Sequence, residues 1–446
     1  MKKGMFFALA ASSLLFSACS SDDAVVSTEG QNEAVQQIVL QVASSGDGLT
    51  TRAGRPLYSS EALQTIQNVR VLIYNADSKA IVKDAKLDWK TSTTYTNHGR
   101  QLTLTYKGDE RLSEGSYKVM AVGYSDNSDY TYDLDVTGTS LTGKTYKDIT
   151  ATLKADKKDA EEVFAGDAAL TIGPDKKITN LTDGEENGVA VTLHRQVAGS
   201  FGYFQNIPAS VNGEAAKTLR LVVRDKNDVL TFKNFNSSFT TTDNTIKYYV
   251  NGSKSGAAPA SDAQFKGGDK GYVLYSIDLS KWFTNGDVNK DGLLNAEDTW
   301  QHPDNVKTQV VEGSVFGSNF VIPFNLTSGK STMELQLLDA DNDIIKFWTV
   351  SIPSSDVNNE DTKGVTDENA SIFNVVRNHM YNLGVKTSTG TTTPPDPSKP
   401  DPDPSKPDPS DPTPGTDEPE DLSKSQNLIL KVNDNWEVIH QMELGD

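Results

Sequence analysis

The chain has 446 residues, enough for two or three domains of ordinary size, each with a core of its own. Its 61 aspartate and glutamate residues outnumber the 42 lysine and arginine residues, which gives a formal net charge of −19. No cluster of basic residues stands out along the chain, so the positive surface that nucleic acids require is not predicted. We therefore expect no nucleic-acid partner.

The N-terminus has the layout of an export signal. Lys2 and Lys3 precede the apolar run GMFFALAASSLLFSA, and small residues lead up to Cys19, the single cysteine of the chain. The end of this run, FSAC, resembles the lipobox of bacterial lipoproteins, in which the cysteine carries the lipid. We therefore assign residues 1–18 to a signal peptide and predict lipidation of Cys19 by acyl chains such as palmitate. No other run approaches the ~20 apolar residues that a membrane span needs.

Much of the remaining chain has the alternating pattern of β-strands. From residue 56 onward, short runs such as NVRVLIYNA, SYKVMAVGY and TMELQLLD are separated by Gly, Asn, Asp and Ser. This spacing is typical of antiparallel sandwiches, and helical periodicity over ten or more residues is hard to find. One run lies apart near the N-terminus. In QQIVLQVAS, the residues Ile38, Leu40 and Val42 occupy alternate positions, which predicts a lone strand.

Composition and pattern together divide the chain into segments. The stretch NIPASVNG at residues 206–213 interrupts the strand pattern and is the predicted domain boundary. From Thr387 the chain is rich in proline and aspartate and too poor in apolar side chains to fold, which favours extended polyproline II. The predicted segments are a propeptide with the N-terminal strand at 19–52, an N-terminal β-sandwich domain at 53–208, a C-terminal β-sandwich domain at 209–386, a Pro/Asp-rich linker at 387–426 and a C-terminal strand segment at 427–446.

The C-terminal segment NLILKVNDNWEVIHQMELGD has the pattern of β-structure without an evident partner. Its two apolar alternations flank the bend NDN, and two strands alone cannot cover their shared apolar face. The residues expected to form the donor strand are Leu428, Leu430, Val432, Trp436, Val438, Met442 and Leu444. Two destinations remain open for them. The segment folds back onto an edge of its own sandwich, or it fills a groove of a neighbouring molecule, as in donor-strand complementation.

A loop between the lone strand and the first domain offers a site for proteolysis. Arg52 and Arg55 lie in the Gly/Thr-rich stretch GLTTRAGRPLY, the kind of segment that proteases prefer. Because Arg55 precedes Pro56 and most Arg-specific proteases cut poorly before proline, we predict cleavage between Arg52 and Ala53. Such a cut would detach both the lipid and the lone strand. The alternative is that both arginines are ordinary solvated charges.

The run DVNKDGLLNAED at residues 287–298 has the spacing of a twelve-residue calcium loop. Gly292 stands where that loop turns sharply. The run resembles a dockerin-type EF-hand loop, in which the last ligand is Asp rather than Glu. The predicted Ca²⁺ ligands are Asp287, Asn289, Asp291, the carbonyl of Leu293, Asn295 and Asp298. Since the loop is single whereas EF-hand and dockerin loops come in pairs, a surface turn without metal remains the alternative.

The sequence signatures of zinc enzymes, serine hydrolases and dinucleotide-binding enzymes do not occur. The five histidines are scattered with no HExxH motif or i, i+4 pair, so a zinc site is not indicated. The chain also lacks a GxSxG elbow and a GxGxxG turn. Carboxylates are abundant, but in an acidic chain they are more often solvated than paired for acid/base catalysis. We therefore predict that the protein is not an enzyme.

Four segments carry a resemblance to a known family. They are LHRQVAG at 193–199, GSYKVMAVGYSD at 115–126, VVRNHMYNLGV at 375–385 and the closing NWEVIHQMEL at 435–444. Together with the layout of the chain, they resemble the fimbrillins, the FimA/Mfa-like type V pilins of the Bacteroidota. The resemblance implies a mostly β protein with two transthyretin-like antiparallel β-sandwich domains and a C-terminal strand appendage, here on a Pro-rich linker.

The resemblance also implies a function in adhesion and biofilm formation. A fimbrial subunit of this kind is exported as a lipoprotein precursor on the outer membrane, cut by an Arg-specific protease and polymerised at the cell surface by donor-strand exchange. Its partners would be other fimbrial subunits, the protease and a host or bacterial surface ligand. The long proline-rich linker and the calcium-like loop suit a specialised subunit. The alternative is therefore a tip or accessory adhesin, or a surface lipoprotein that binds glycan or protein.

Overall fold

A computed structural model describes most of the chain between residues 35 and 433. The described ranges are 35–42, 66–92, 94–96, 99–182, 190–233, 235, 250–256, 260–304, 306, 310–327, 333–351, 372–385, 417–424 and 428–433. In these ranges the elements are strands, one helical turn at Trp89–Ser92, and 3-10 turns at Gly108–Glu110 and Leu279–Lys281. The predicted mostly β, sandwich-type class is confirmed. No helix in the described part of the chain is both long and apolar enough to cross a membrane.

The first eleven strands precede the junction between the two halves of the protein. They are β1 (Val35–Val42), β2 (Asn68–Asn75), β3 (Ile81–Asp88), β4 (Thr94–Thr96), β5 (Gly99–Lys107), β6 (Gly115–Tyr124), β7 (Tyr130–Tyr132), β8 (Ile149–Leu153), β9 (Phe164–Ile172), β10 (Ile178–Thr182) and β11 (Ala190–Arg195). Nine of them form one sheet in the order β3-β2-β6-β9-β11-β1-β5-β4, with β10 paired to β9. Side chains of β1 and β5 share one buried cluster with those of β2 and β6, so the sheet closes over its own core.

The remaining strands follow the junction. They are β12 (Ala198–Gln205), β13 (Ile207–Pro208), β14 (Ser210–Val211), β15 (Glu214–Ala215), β16 (Thr218–Val223), β17 (Val229–Phe232), β18 (Gly252–Ser253), β19 (Ala263–Gln264), β20 (Lys270–Asp278), β21 (Leu293–Leu294), β22 (Ser314–Val321), β23 (Phe324–Thr327), β24 (Met333–Leu338), β25 (Ile344–Ser351), β26 (Ile372–Val375), β27 (Met380–Leu383), β28 (Glu420–Asp421), β29 (Leu428–Ile429) and β30 (Lys431–Asn433). Two sheets dominate this half. One has the order β22-β12-β27-β30 with β28 paired to β12, and the other β19-β20-β16-β24-β25-β29. They enclose the largest apolar core.

The two halves exchange strands across the predicted boundary. Strand β12 belongs to the C-terminal sandwich although it precedes residue 209, because it pairs with β22 and β27. Conversely, β17 pairs with β8 and places Leu230 and Phe232 in a core with Ile149 of the N-terminal half. The chain therefore passes from the N-terminal sheet to the C-terminal sandwich near residues 196–197. Strand β17 later pairs with the N-terminal half again. Sequence pattern could not show this, since the partners are far apart in the chain.

Candidate functional site

The N-terminal strand β1 lies inside a sheet rather than at an edge. It runs antiparallel to β5, with Val35 opposite Lys107 and Gln41 opposite Gln101. On its other side it runs parallel to β11, with Val39 opposite Ala190. Removing β1 would therefore separate β11 from β5 and leave unpaired backbone groups on both. We call the space between β5 and β11 that β1 fills the groove.

Alternating side chains of β1 fill the apolar floor of the groove. Ile38 and Leu40 are fully buried, whereas Gln37 on the opposite face is exposed. The floor is made by apolar side chains of β2, β5 and β11 together with the helical turn, namely Val69, Val71, Leu102, Leu104, Val191, Leu193 and Trp89. Because side chains alternate along a strand, a shift by one residue would turn this apolar face to solvent.

A buried glutamine on the same face fixes the position of β1 along the groove. Gln36 is 1% exposed, and its amide nitrogen donates to the carbonyl oxygens of Leu112 at 3.0 Å and Lys176 at 2.7 Å. Its amide oxygen accepts from the backbone N–H of Leu112 at 2.7 Å. These bonds tie β1 to two loops at the mouth of the groove. Gln36 is not among the site residues predicted from the sequence, although a polar residue in line with Ile38 and Leu40 is a visible signal.

Strand β1 is joined to the rest of the protein only through residues 43–65. The predicted cleavage site at Arg52 and Ala53 lies in that stretch, and Cys19 lies upstream of β1. All three residues are outside the described ranges, so these assignments stay predictions. A cut anywhere in 43–65 would break the covalent link between β1 and the rest of the protein, and among the described residues β1 would then be held by sheet pairing, packing and the bonds of Gln36.

The start of the C-terminal segment lies on its own C-terminal sandwich. Strand β29 pairs parallel with the end of β25, and β30 pairs antiparallel with β27. Leu428 and Leu430 are each 1% exposed in the large core, and the backbone N–H of Leu430 donates to the carbonyl of Ser351 at 2.9 Å. Ile429 between them is 56% exposed. For residues 428–433, the destination observed is thus the chain's own sandwich.

Of the other predicted donor-strand residues, only Val432 lies within the described ranges. The backbone of Val432 lies in β30, opposite Tyr381. Trp436, Val438, Met442 and Leu444 lie beyond the described ranges and stay predictions.

Part of the predicted linker is also attached to the C-terminal sandwich. Strand β28 pairs with the end of β12, and Leu422 is fully buried. Val385 and Glu418 exchange backbone hydrogen bonds of 2.8 and 2.9 Å. Residues 385 and 418 are therefore held side by side, although 32 residues separate them in the sequence. A tether as long as 387–426 would form only if residues 417–424 came away.

The calcium-like loop has the turns of a metal-binding loop. Gly292 has a φ of +88° and its N–H donates to Asp287 Oδ2 at 2.9 Å. The two carboxylate oxygens of Asp298 accept from the N–H groups of Val288 at 2.8 Å and Asn295 at 3.0 Å. Each carboxylate thus holds the loop's own backbone, and the carboxylates stand at the first and last positions of the loop.

One carboxylate oxygen of this loop is buried without a donor. Asp287 Oδ1 has no hydrogen-bond partner among the described residues. The N–H of Leu293 and then the amide of Asn295 hold the pKa of Asp291 below its usual range. Asn289 and Asn295 donate their amide nitrogens to Asp291 Oδ2 at 3.2 and 2.8 Å, and a half-turn of either amide would present its oxygen instead. The residues present therefore fit a hard cation.

Side chains of acidic residues alone do not form that site. Within the described ranges, no group of three or more His, Cys, Asp or Glu side chains is placed to hold a metal ion. A cation in the loop would thus need amide and carbonyl oxygens as well as carboxylates.

Two of the segments quoted above meet at the junction of the halves. Arg195, at the end of β11, donates to Glu162 at 2.6 Å and to the side chain of Asn378 at 3.0 Å, and all three residues are buried. The N–H of Asn378 donates to the carbonyl of Val197 at 2.8 Å. The wall of the groove therefore continues into a buried polar junction that joins the two halves.

Comparison with known proteins identifies the class of protein as fimbrial. The model of one family, described as "Fimbrillin-A associated anchor proteins Mfa1 and Mfa2", matches residues 47–271. The chain belongs to this family, which confirms the resemblance drawn from the sequence. No curated protein matches the chain.

Several solved structures are similar to the chain at low identity. The tip fimbrial protein Mfa3 from Porphyromonas gingivalis, solved with a C-terminal truncation, is 10% identical over 79% of this chain and 94% of its own, with a TM-score of 0.36. The fimbrial anchor protein Mfa2 from the same organism is 13% identical over 81% and 94%, with a TM-score of 0.34. A fimbrial assembly protein from Parabacteroides distasonis is 14% identical over 80% and 92%, with a TM-score of 0.33.

Proposed function

We propose that the protein is a structural subunit of a surface fimbrium that polymerises by donor-strand exchange and serves adhesion. The observation that carries the proposal is the place of β1, which fills the groove between β5 and β11 but is connected only through residues 43–65. The precursor would be exported as a lipoprotein on Cys19, held at the outer membrane, and cut after Arg52. A strand of another fimbrial subunit would then take the place of β1.

The energetics favour replacement over simple loss of β1. Burial of a large aliphatic side chain contributes about 1.5–3 kcal/mol, so Ile38 and Leu40 together hold β1 with roughly 3–6 kcal/mol before its hydrogen bonds are counted. An empty groove would expose the apolar floor and leave unpaired backbone groups on β5 and β11. After cleavage β1 is a separate molecule that no covalent link holds in the groove, so a strand of a neighbouring subunit can take its place by mass action.

A second candidate function is that of a tip, anchor or accessory subunit with an adhesin role. It is favoured by the attachment of residues 417–424 and 428–433 to the chain's own sandwich, because a terminal subunit has no need to donate a strand. The matching family is itself described as one of anchor proteins. A glycan or a surface protein of a host or another bacterium would be the ligand of such a subunit.

We also propose that the loop at 287–298 binds Ca²⁺. The support is the orphaned oxygen of Asp287 together with the backbone turns at Gly292. Asp287, Asn289, Asp291, Asn295 and Asp298 would hold the ion with the carbonyl of Leu293. A divalent cation there would stiffen an insertion next to β21, without any catalytic step.

The proposed assembly is tested by cutting the purified precursor with an Arg-specific protease and separating the products by SDS gel without boiling. Ladders of SDS-resistant oligomers are expected from the natural chain. Arg52→Ala should abolish the ladders, whereas the matched variant Arg55→Ala should leave them intact because Arg55 precedes proline. Ladders that persist in Arg52→Ala, or after deletion of residues 427–446, would contradict the mechanism. Monomers that bind a surface ligand but never form ladders would favour the second candidate.

A further inference from the structure

The C-terminal segment contains a near copy of the N-terminal strand. Residues 36–42 read QQIVLQV, and residues 426–432 read QNLILKV. Glutamine, leucine and valine are identical at the first, fifth and seventh positions, and the two other apolar positions exchange isoleucine, leucine and valine. The match includes the polar first residue, so it goes beyond the alternation that any half-buried strand shows.

The two copies also bury the same face. In β1, Ile38 and Leu40 are buried while Val39 between them is only partly covered. In the C-terminal copy, Leu428 and Leu430 are buried against the chain's own sandwich while Ile429 is exposed. Matching residues therefore have matching environments, although they lie in different halves of the protein. The side chains that would enter the groove are those already held in an apolar site.

The first residue of the C-terminal copy, Gln426, is the one for which the groove offers specific hydrogen bonds. The side-chain amide of Gln36 pairs with both the N–H and the C=O of Leu112, and it also donates to the carbonyl of Lys176. Those bonds need a side-chain amide with both a donor and an acceptor at that point of the strand. In the C-terminal copy, Gln426 carries such an amide and stands two residues before Leu428, as Gln36 stands two residues before Ile38. A strand shifted by two residues would keep its apolar face but lose this match.

We propose that residues 426–432 occupy the groove of a second copy of this chain in the register of residues 36–42, with Gln426 in the place of Gln36. The inference rests on the proposed strand exchange and adds to it the partner and the register. Leu428 and Leu430 replace Ile38 and Leu40, and the donor strand runs parallel to β11 as β1 does. Because groove and donor come from one sequence, the match favours a homopolymer.

The C-terminal segment cannot pair with its own sandwich and fill the groove of another molecule at the same time. In its own sandwich, the described part of the segment pairs with β25 over residues 428–429 and with β27 over residues 431–433. In the groove, a strand pairs with β5 over the length of residues 35–41 and with β11 over residues 39–42. The groove therefore pairs one strand on both of its sides, which favours the exchange.

Disulfide trapping tests the register. Since Val39 lies opposite Thr103, Ile429 of the donor should lie opposite Thr103 of the acceptor. Full-length Thr103→Cys and Ile429→Cys proteins are prepared separately, mixed, cut with the Arg-specific protease and oxidised. Cys19 leaves with the cut propeptide, so the introduced thiols are the only ones in the polymer. Gln101→Cys and Thr105→Cys, two residues away on either side along β5, are the matched acceptor controls.

The proposal predicts an intermolecular disulfide with Thr103→Cys at least about tenfold more abundant than with either control. Preferential trapping at residue 101 or 105 would overturn the register. Ladders without trapping at any of the three would show that another part of the tail fills the groove, which also overturns the inference. If the unsubstituted protein forms no ladders, the strand exchange itself fails, a result distinct from a wrong register.

The glutamine is tested separately in the natural chain. Gln426→Leu should slow ladder formation at least about tenfold, because it leaves the polar groups of Leu112 without partners in the assembled groove. Asn427→Leu, at the position that matches exposed Gln37, is the control and should assemble at the natural rate. Thermal unfolding of both uncut precursors identifies any general loss of stability. Equal rates for the two variants would overturn the role of Gln426.

Discussion

The substitution Gln36→Leu should loosen the N-terminal strand by an amount that the structure allows us to work out. It removes the side-chain amide that, among the described residues, pairs with both the N–H and the C=O of Leu112, a residue that is 4% exposed. A buried polar group left without a partner costs about 1–3 kcal/mol. Two such groups, offset by the burial of the new leucine, give an expected loss of roughly 2–4 kcal/mol of unfolding free energy. That is a large part of the 5–15 kcal/mol typical of a domain.

The assay is denaturant unfolding of uncleaved precursor that also carries Arg52→Ala, so that β1 stays covalently attached. Gln37→Leu is the matched control, because it makes the same change one residue away on the exposed face. A surface change of this kind should stay within about 0.5 kcal/mol. Equal midpoints for the two variants would refute the assignment of Gln36 as the residue that fixes the strand in the groove.

Three further predictions concern the junction, the loop and pH. Arg195→Met removes one partner of the buried ion pair with Glu162 and should cost about 3–5 kcal/mol in unfolding experiments, whereas Arg224→Met, in a more exposed pair, should cost at most about 1 kcal/mol; similar losses would contradict a buried junction. Calorimetry should detect Ca²⁺ binding that Asp287→Asn abolishes and Glu297→Gln keeps; absence of heat in the natural chain would remove the metal proposal. Burial alone would raise the pKa of Asp84, but hydrogen bonds from Arg70 and Leu141 outweigh it, so the pKa is lowered. Its contribution is present above the ordinary carboxylate pKa of about 3.9 and is lost as pH falls further, so Asp84→Asn should flatten the acid side of the stability profile.

The strands could be predicted from the local sequence pattern, but the strands with which each one pairs could not. The alternation of Ile38, Leu40 and Val42 identified β1, and the lack of helical periodicity gave the fold class. The neighbours of β1 could not be read in this way, because β5 and β11 are about 60 and 150 residues away in the chain and pairing at such distances leaves no local mark. The return of β17 to the N-terminal half was hidden for the same reason.

Two features of the site could not be predicted because the residue types involved are usually exposed. Gln36 is polar and would ordinarily be placed on the surface, yet it is buried because two loops supply its hydrogen bonds. The proline-rich linker has few apolar residues, so the attachment of residues 417–424 through Leu422 and Glu418 was not expected. Cys19, Arg52 and Ala53 remain predictions from the sequence, as does the part of the tail beyond residue 433.

The central claim is that β1 is replaced during assembly, and the composition of the polymer tests it most directly. Ladders formed after protease treatment are washed, dissociated by boiling and analysed by mass spectrometry for peptides that contain residues 35–42, with the uncut precursor as the reference. Strand exchange predicts that these peptides are nearly absent from the washed polymer and recovered in the supernatant. Their retention at one per subunit would contradict the account.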